Sequence, residues 1–242
     1  MLVFFLKKSL FTRYTLFFSI IFLLTLLWQG RGEPCSTAET VFLSENSSCI
    51  IIIDPGHGGP DGGAVSIDGI QESNINLELA FRVRDLFALM GQGSKMTRME
   101  DISVHTPGSN RWKASDLQNR AAMVNETPQG ILLSIHQNSL PSSPVTHGAQ
   151  VFYNSLPQAQ QICMEIQTSL NEVINIGNEK QIKPIPTGIY LMKHISAPGI
   201  LVECGFLSNP QETRALQTTS HQIKLAAAIT IGLLRATGED IT

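Results

Sequence analysis

Four ionisable side chains stand where predicted strands end or a predicted helix begins. His57 follows a run of four isoleucines, and His136 ends a mostly apolar run. Glu203 follows three apolar residues, and Glu72 comes just after an Asp-Gly turn signal. Ligands of an open α/β sheet bind in the crevice beyond the strand ends. We therefore treat these four side chains as candidates for one site.

The residue types predict zinc chemistry. Two imidazoles and one carboxylate match a catalytic zinc site, in which three protein ligands leave the fourth position to water. His57 and His136 are the candidate imidazole ligands, and Glu72 is a candidate for the carboxylate ligand. Glu203 is the predicted proton carrier, because apolar surroundings raise the pKa of a carboxyl group towards a value useful in acid–base catalysis. Asp54 is expected to orient the His57 imidazole.

Each of these residues also has a plainer interpretation. The glycine-rich stretch around His57 could be a tight turn or a phosphate loop, but it lacks the lysine and hydroxyl of the latter. Glu72 could merely complement a helix dipole. His136 could be a hydrogen-bonded core histidine, although the polar residues after it favour a wet cleft and therefore a ligand.

Composition narrows the function classes. The chain has 242 residues and a net charge of -3, so no nucleic-acid partner is predicted. A hydrophobic content of 43% is sufficient for a packed core without disulfides. The four cysteines fit neither a C-x-x-C redox pair nor a zinc ribbon. A Cys35–Cys49 disulfide is permitted outside the cytoplasm, but nothing in the sequence requires it.

Residues 1–28 are predicted to be a targeting segment. Lys7, Lys8 and Arg13 precede an apolar stretch of signal-peptide length, Tyr14–Trp28. No clear cleavage site follows, so an uncleaved signal anchor is favoured over a cleaved signal peptide. In both cases the positive-inside rule places the rest of the chain outside the cytoplasm, either membrane-anchored or secreted. Residues 29–48 are predicted to be a linker, and residues 49–242 a catalytic domain.

Strands and helices alternate along that domain. The predicted strands are Ile50–Asp54, Lys95–Thr97, Ile131–Ile135, Gln150–Tyr153, Ile189–Met192 and Ile200–Glu203. The predicted helices are Ser73–Met90, Lys113–Asn125, Pro157–Val173 and segments from Pro210 to Thr237. This alternation predicts a three-layer α/β sandwich around a mixed, largely parallel sheet. The long loop from Arg98 to Arg111 is expected to rim the site.

Taken together, the motifs closely resemble the zinc-dependent N-acetylmuramoyl-L-alanine amidases that act on bacterial cell walls. The matching stretches are IIIDPGHGGPDGGA at 51–64, the Glu72 turn, MTRMED at 96–101, LSIHQNS at 133–139 and GILVECGFLSNP at 199–210. The resemblance covers about residues 50 to 237. It implies that His57, Glu72 and His136 bind Zn²⁺ and that Glu203 is catalytic. Cys204 and Gln137 stand where the family usually carries aliphatic or apolar residues, and neither is a predicted ligand.

Three further stretches, at 80–87, 109–120 and 188–199, resemble the spore-cortex amidases of this family. The resemblance implies hydrolysis of the amide between N-acetylmuramic acid and L-alanine in peptidoglycan, after which a deacetylase closes the muramic δ-lactam. It also implies attachment to the membrane through the N-terminal segment and a location in the forespore intermembrane space. A vegetative cell-separation amidase is the alternative within the family, and the need for an accessory protein is undecided.

Two other functions compete with the amidase. A zinc carboxypeptidase-like peptidase would need an arginine for the substrate carboxylate, and Arg98, Arg111 and Arg120 are candidates. A wall-binding protein without activity would not need all four site residues. For the amidase, Asn138 is predicted to donate a hydrogen bond to the oxyanion and Arg120 to bind substrate.

Overall fold

The structure is a computed structural model that describes residues 49–238. The predicted targeting segment and linker, and with them Cys35, lie outside the described residues, so those predictions stay predictions. Between residues 49 and 238, no helix combines the length and apolar character needed to cross a membrane.

The domain is built on one six-stranded sheet. Its strands are β1 (Ile50–Pro55), β2 (Ser94–Met96), β3 (Gly130–Asn138), β4 (Gln150–Tyr153), β5 (Lys183–Pro184) and β6 (Gly199–Phe206). They lie in the order β2-β1-β3-β6-β4-β5. β1 pairs in parallel with β2 and β3, β3 pairs in parallel with β6, and β4 runs antiparallel to β6. The predicted mixed, largely parallel sheet is confirmed.

Helices cover both faces of this sheet. They are α1 (Glu72–Leu89), α2 (Trp112–Asn125), α3 (Pro157–Val173), α4 (Tyr190–Lys193), α5 (Pro210–Leu216) and α6 (Thr219–Thr237). Buried residues of α1, α3 and α6 form one hydrophobic cluster on the first face. Buried residues of α2 and α4 form a second cluster on the opposite face. The three-layer α/β sandwich is therefore the architecture of the described domain.

The isoleucine run of β1 shows how the two clusters arise. Successive side chains of a strand point to opposite faces. Ile51 and Ile53 accordingly join the first cluster, and Ile52 joins the second. All three are at most 2% exposed. A strand covered on both faces needs apolar residues at every position, which explains an unbroken run where an exposed strand would alternate.

One predicted strand is wrong. Ile189–Met192 was expected to pair in the sheet, but Tyr190–Lys193 is the short helix α4. Both edges of β6 are occupied, by β3 and β4, so the segment before β6 cannot pair with β6 itself. Leu191 and Met192 instead pack on the second face. An apolar run of this length does not distinguish strand from helix.

Candidate active site

The fold brings the four predicted site residues together at one edge of the sheet. β1, β3 and β6 are neighbours and run in the same direction, so their carboxyl ends meet. His136 lies directly opposite Glu203 in the register of β3 and β6. His57 stands in the loop just beyond β1, and Glu72 is the first residue of α1.

His57, Glu72 and His136 form a compact cluster of potential metal ligands. One ligand atom from each lies within 4.8 Å of the others. Glu72 is central, because its Oε2 lies 3.2 Å from His57 Nε2 and its Oε1 lies 2.9 Å from His136 Nδ1. Two imidazole nitrogens and one carboxylate oxygen at this spacing fit the ligand set of a catalytic zinc site.

Hydrogen bonds hold the Glu72 carboxylate in place. Oε2 accepts from the backbone N–H of Ala64 at 2.8 Å. Oε1 accepts from the backbone N–H of Gln137 at 3.0 Å and from Asn76 Nδ2 at 3.2 Å. Burial alone would raise the pKa of Glu72, but the hydrogen bonds with His136 and His57 outweigh it and hold the pKa well below its usual range. The carboxylate is thus ionised and fixed, as a metal ligand must be.

Two glycines allow the chain to pass close to these ligands. A Cβ atom at Gly56 would come within 2.2 Å of His136 Cε1. A Cβ atom at Gly63, where φ is +68°, would lie 2.5 Å from Glu72 Oε2. His57 itself adopts a left-handed conformation, with φ of 63°. The glycines therefore make room for imidazole and carboxylate side chains, which supports the ligand interpretation over the phosphate loop.

The predicted contact between Asp54 and His57 is wrong. The Asp54 carboxylate instead accepts hydrogen bonds from Arg120 Nη1 at 2.6 Å, Thr97 Oγ1 at 2.7 Å and Ser134 Oγ at 2.8 Å. Burial would raise the pKa of Asp54, but Arg120 and these hydrogen bonds lower it overall. Asp54 points in the same direction as Ile52, towards α2, so it cannot reach the imidazole.

Arg120 organises the loop that carries His57. Its guanidinium also donates to Asp116 at 2.7 Å and to the carbonyls of Pro55 at 3.0 Å and His57 at 2.7 Å. Because four of its hydrogen bonds go to protein acceptors and its side chain is 2% exposed, little of it is accessible to a substrate. The predicted substrate contact of Arg120 stays a prediction, and the geometry favours a structural role.

A second buried arginine, Arg98, also holds the loop after β1 in place. From the sequence, it is a candidate only for binding the substrate carboxylate of a peptidase. Arg98 donates to the carbonyls of Pro55, Gly56 and Ser73, at 2.9, 3.0 and 2.9 Å. It thereby ties the loop after β1 to the first turn of α1. Its position within MTRMED is the sequence signal that could have indicated this role. Of the three arginines considered for the carboxylate of a peptidase substrate, Arg98 and Arg120 are buried and bonded to protein acceptors, whereas Arg111 is exposed.

Asn138 lies at the end of β3, beside the site. Its Oδ1 accepts from the backbone N–H of Ser139 at 2.8 Å. It is not among the residues that line the cavity described below. Its predicted hydrogen bond to the oxyanion stays a prediction.

A cavity of about 360 Å³ opens over the cluster. His57, Glu72, His136 and Glu203 line it together with Ile189, Tyr190, Leu191 and Leu201. Glu203 Oε2 is buried and has no hydrogen-bond partner among the described residues. Burial raises the pKa of Glu203 to about 7, with a further increase from Glu72 and a partial decrease from the two histidines. An unpartnered carboxylate of this pKa beside the ligand cluster can exchange protons near neutral pH.

Comparison with known proteins gives one consistent result. The model of the N-acetylmuramoyl-L-alanine amidase family matches residues 51–235. The chain is 38% identical over 192 residues to the germination-specific N-acetylmuramoyl-L-alanine amidase of Bacillus subtilis, with 78% of this chain and 80% of the relative covered. It is 27% identical over 248 residues to the amidase AmiA of Salmonella typhimurium, with 85% and 80% covered.

The fold is likewise similar to solved structures. The CwlD amidase from Clostridioides difficile, solved in complex with the GerS lipoprotein, superposes with a TM-score of 0.74 at 33% identity. The similarity covers 79% of this chain and 99% of that one.

Proposed function

This chain belongs to the N-acetylmuramoyl-L-alanine amidase family and is a hydrolase of peptidoglycan, and on that premise we propose that it works with one zinc ion held by His57, Glu72 and His136. The proposal depends chiefly on one observation. Three potential ligand atoms lie within 4.8 Å of one another, beneath a cavity that Glu203 also lines, and Glu203 Oε2 has no hydrogen-bond partner within residues 49–238.

The donor set fits the metal. Two imidazoles and a carboxylate leave a fourth position, and the three side chains line the cavity from which a water or substrate could occupy it. When bound, zinc supplies Lewis acidity, which polarises a carbonyl group and lowers the pKa of water.

Glu203 has the proton-transfer role in this proposal. Its carboxylate accepts a proton from the attacking water and then donates that proton to the departing amine of L-alanine. A pKa of about 7 suits both halves of this exchange, because the group is then neither a very weak base nor a very weak acid at neutral pH.

The biological setting we propose is the spore cortex. Support comes from two relatives, one named a germination-specific amidase and the other solved in complex with a lipoprotein. Release of the stem peptide would leave unsubstituted muramic acid, on which a deacetylase could act before closure of the δ-lactam. We further propose that residues 1–28 hold the enzyme on the outer side of a membrane and that an accessory protein binds the domain.

Digestion of intact peptidoglycan with mass analysis tests the bond that is cleaved. The amidase should release stem peptides with a new L-alanine N-terminus and leave unsubstituted muramic acid in the glycan. Release of single amino acids from the stem C-termini, with every muramic acid still substituted, would instead identify a peptidase.

The variant His136→Ala tests the metal. We expect it to lose bound zinc and activity together, as measured by metal analysis and by the digestion assay. Stoichiometric zinc with unchanged turnover in this variant would overturn the assignment of the ligands.

A further inference from the structure

Besides Glu72, a second carboxylate contacts the His57 ring, that of Asp61. Its Oδ2 lies 3.1 Å from His57 Nδ1, on the side of the ring away from Glu72. The other ring nitrogen, Nε2, is the one that faces Glu72 Oε2 at 3.2 Å. Asp61 thus touches the proposed zinc ligand without belonging to the ligand cluster itself.

The backbone fixes Asp61 in this position. The Asp61 N–H donates to the carbonyl of Gly58 at 3.2 Å, and the Gly58 N–H donates to the carbonyl of Asp61 at 2.8 Å. These reciprocal bonds close a tight turn that begins right after His57. Because His57 directly precedes this turn and Asp61 closes it, the local backbone holds the carboxylate close to the ring.

Side-chain contacts fix the carboxylate as well. Oδ1 accepts from the backbone N–H of Gly63 at 3.4 Å. Oδ2 also lies 3.0 Å from Lys113 Nζ, at the start of α2. The carboxylate therefore has partners on both oxygens, and the His57 ring is one of them.

We propose that Asp61 is the positioning residue of the zinc site, which accepts the Nδ1–H of His57 and so presents Nε2 to the metal. A carboxylate that accepts from the distal nitrogen of a histidine ligand fixes its tautomer and orientation and increases its basicity. This inference rests on the proposed function, since it presupposes that His57 is a ligand. It assigns to Asp61 the task that the sequence had suggested for Asp54.

Zinc affinity measured by chelator competition tests the proposal. Asp61→Ala should bind zinc about 10- to 100-fold more weakly than the wild type. Asp61→Asn should fall between the two, because its amide oxygen can still accept the hydrogen bond but carries no charge. Nitrogen-15 shifts of the His57 ring in the zinc-free protein should show the Nδ1–H tautomer in the wild type and a mixture in Asp61→Ala.

Asp101→Asn is the matched control. Asp101 accepts from the backbone N–H of Gly59 at 3.0 Å, so it supports the same loop without touching a ligand. Folded Asp61→Ala protein with unchanged zinc affinity would overturn the proposal, and so would an equal loss of affinity in the control. Retention of zinc by His136→Ala as well would instead count against the proposed function.

Discussion

At the scale of single residues, the burial of the Glu203 carboxylate in the sheet is energetically unfavourable. Its neighbours in β6 are apolar, and its Oε2 is buried without a partner among the described residues. Burying a polar atom without a hydrogen bond costs about 1–3 kcal/mol. A group kept in place at that cost is a strong candidate for a chemical role, because a structural role would be better filled by an apolar side chain.

Glu203→Gln should distinguish a catalytic role of Glu203 from a structural one. We expect the variant to keep its fold and its zinc and to lose about 10²-fold or more in kcat, because the amide cannot accept the proton of water. Metal analysis, circular dichroism and the peptidoglycan assay measure the three properties. Turnover close to that of the wild type in folded, zinc-loaded protein would exclude the role in proton transfer.

The pH profile gives an independent check on the same residue. The base form of Glu203 is the ionised one, so kcat/KM of the wild type should fall as the pH drops through the pKa of this group. The residual activity of Glu203→Gln should lack that dependence on Glu203.

At the scale of elements, the loop between β1 and α1 carries His57 and places Glu72. Its glycines differ in what surrounds them. Gly63 lies against Glu72 and His57, whereas Gly69, in the same loop, has nothing within 4 Å of the position of a Cβ atom. Both have positive φ, of +68° and +82°. Alanine substitutions at these two glycines therefore distinguish the effect of backbone strain from that of a steric clash.

Gly63→Ala should displace the Glu72 carboxylate and weaken zinc binding. Its new Cβ atom would lie 2.5 Å from Glu72 Oε2 and 2.7 Å from His57 Cδ2. Gly69→Ala carries only the left-handed strain, of about 1–2 kcal/mol, and should bind zinc normally. Equal zinc affinities for the two variants would show that the close approach at Gly63 does not constrain the ligands.

The Asp54–Arg120 ion pair links β1 to α2 and should make stability depend on pH. The pKa of Asp54 is lowered in the folded state from its ordinary value of 3.8. Its contribution is therefore fully present above that value and is lost as the pH falls through the folded pKa. Asp54→Asn should lower the free energy of unfolding by about 1–3 kcal/mol at pH 7, because it removes the charge of one of the two carboxylates that pair with buried Arg120, while Asp116 stays in place. The difference from the wild type should shrink below pH 4.

Urea unfolding at several pH values measures this effect. Asp85→Asn is the control, because Asp85 pairs with Arg84 at 2.7 Å but is 66% exposed. An exposed pair contributes little, so this variant should stay close to the wild type at every pH. A similar loss in both variants would contradict the importance of burial.

At the scale of the whole molecule, the active site faces the cell wall only if the N-terminal segment places the domain outside the cytoplasm. Relatives that act on cell walls support action outside the cytoplasm. Lys7, Lys8 and Arg13 should hold the N-terminus inside, with residues 29 onward outside. Protease added to intact protoplasts should therefore digest the domain. Protection in intact cells with digestion after lysis would contradict this topology.

The sequence by itself predicted most of the sheet and the convergence of four candidate site residues. A run of four isoleucines predicts a buried strand, and polar residues that follow such a run are expected near the strand end. His57 follows the first strand after a short turn, and His136 and Glu203 directly follow an apolar residue, so their common location at one edge of the sheet could be predicted once the strands were taken as parallel neighbours. Glu72 was predictable from its position at a helix start after a turn signal.

Only the tertiary structure decided which groups support these residues. Asp54 and Asp61 stand on either side of His57 in the sequence, and nothing local distinguishes them. Asp54 belongs to a strand whose alternation turns it towards α2 and Arg120, whereas Asp61 closes a turn back onto the ring. Contacts between residues distant in sequence depend on how strands and helices pack, and packing is not encoded in spacing alone. The same reason made Ile189–Met192 look like a strand, because the occupied edges of β6 exist only in the folded sheet.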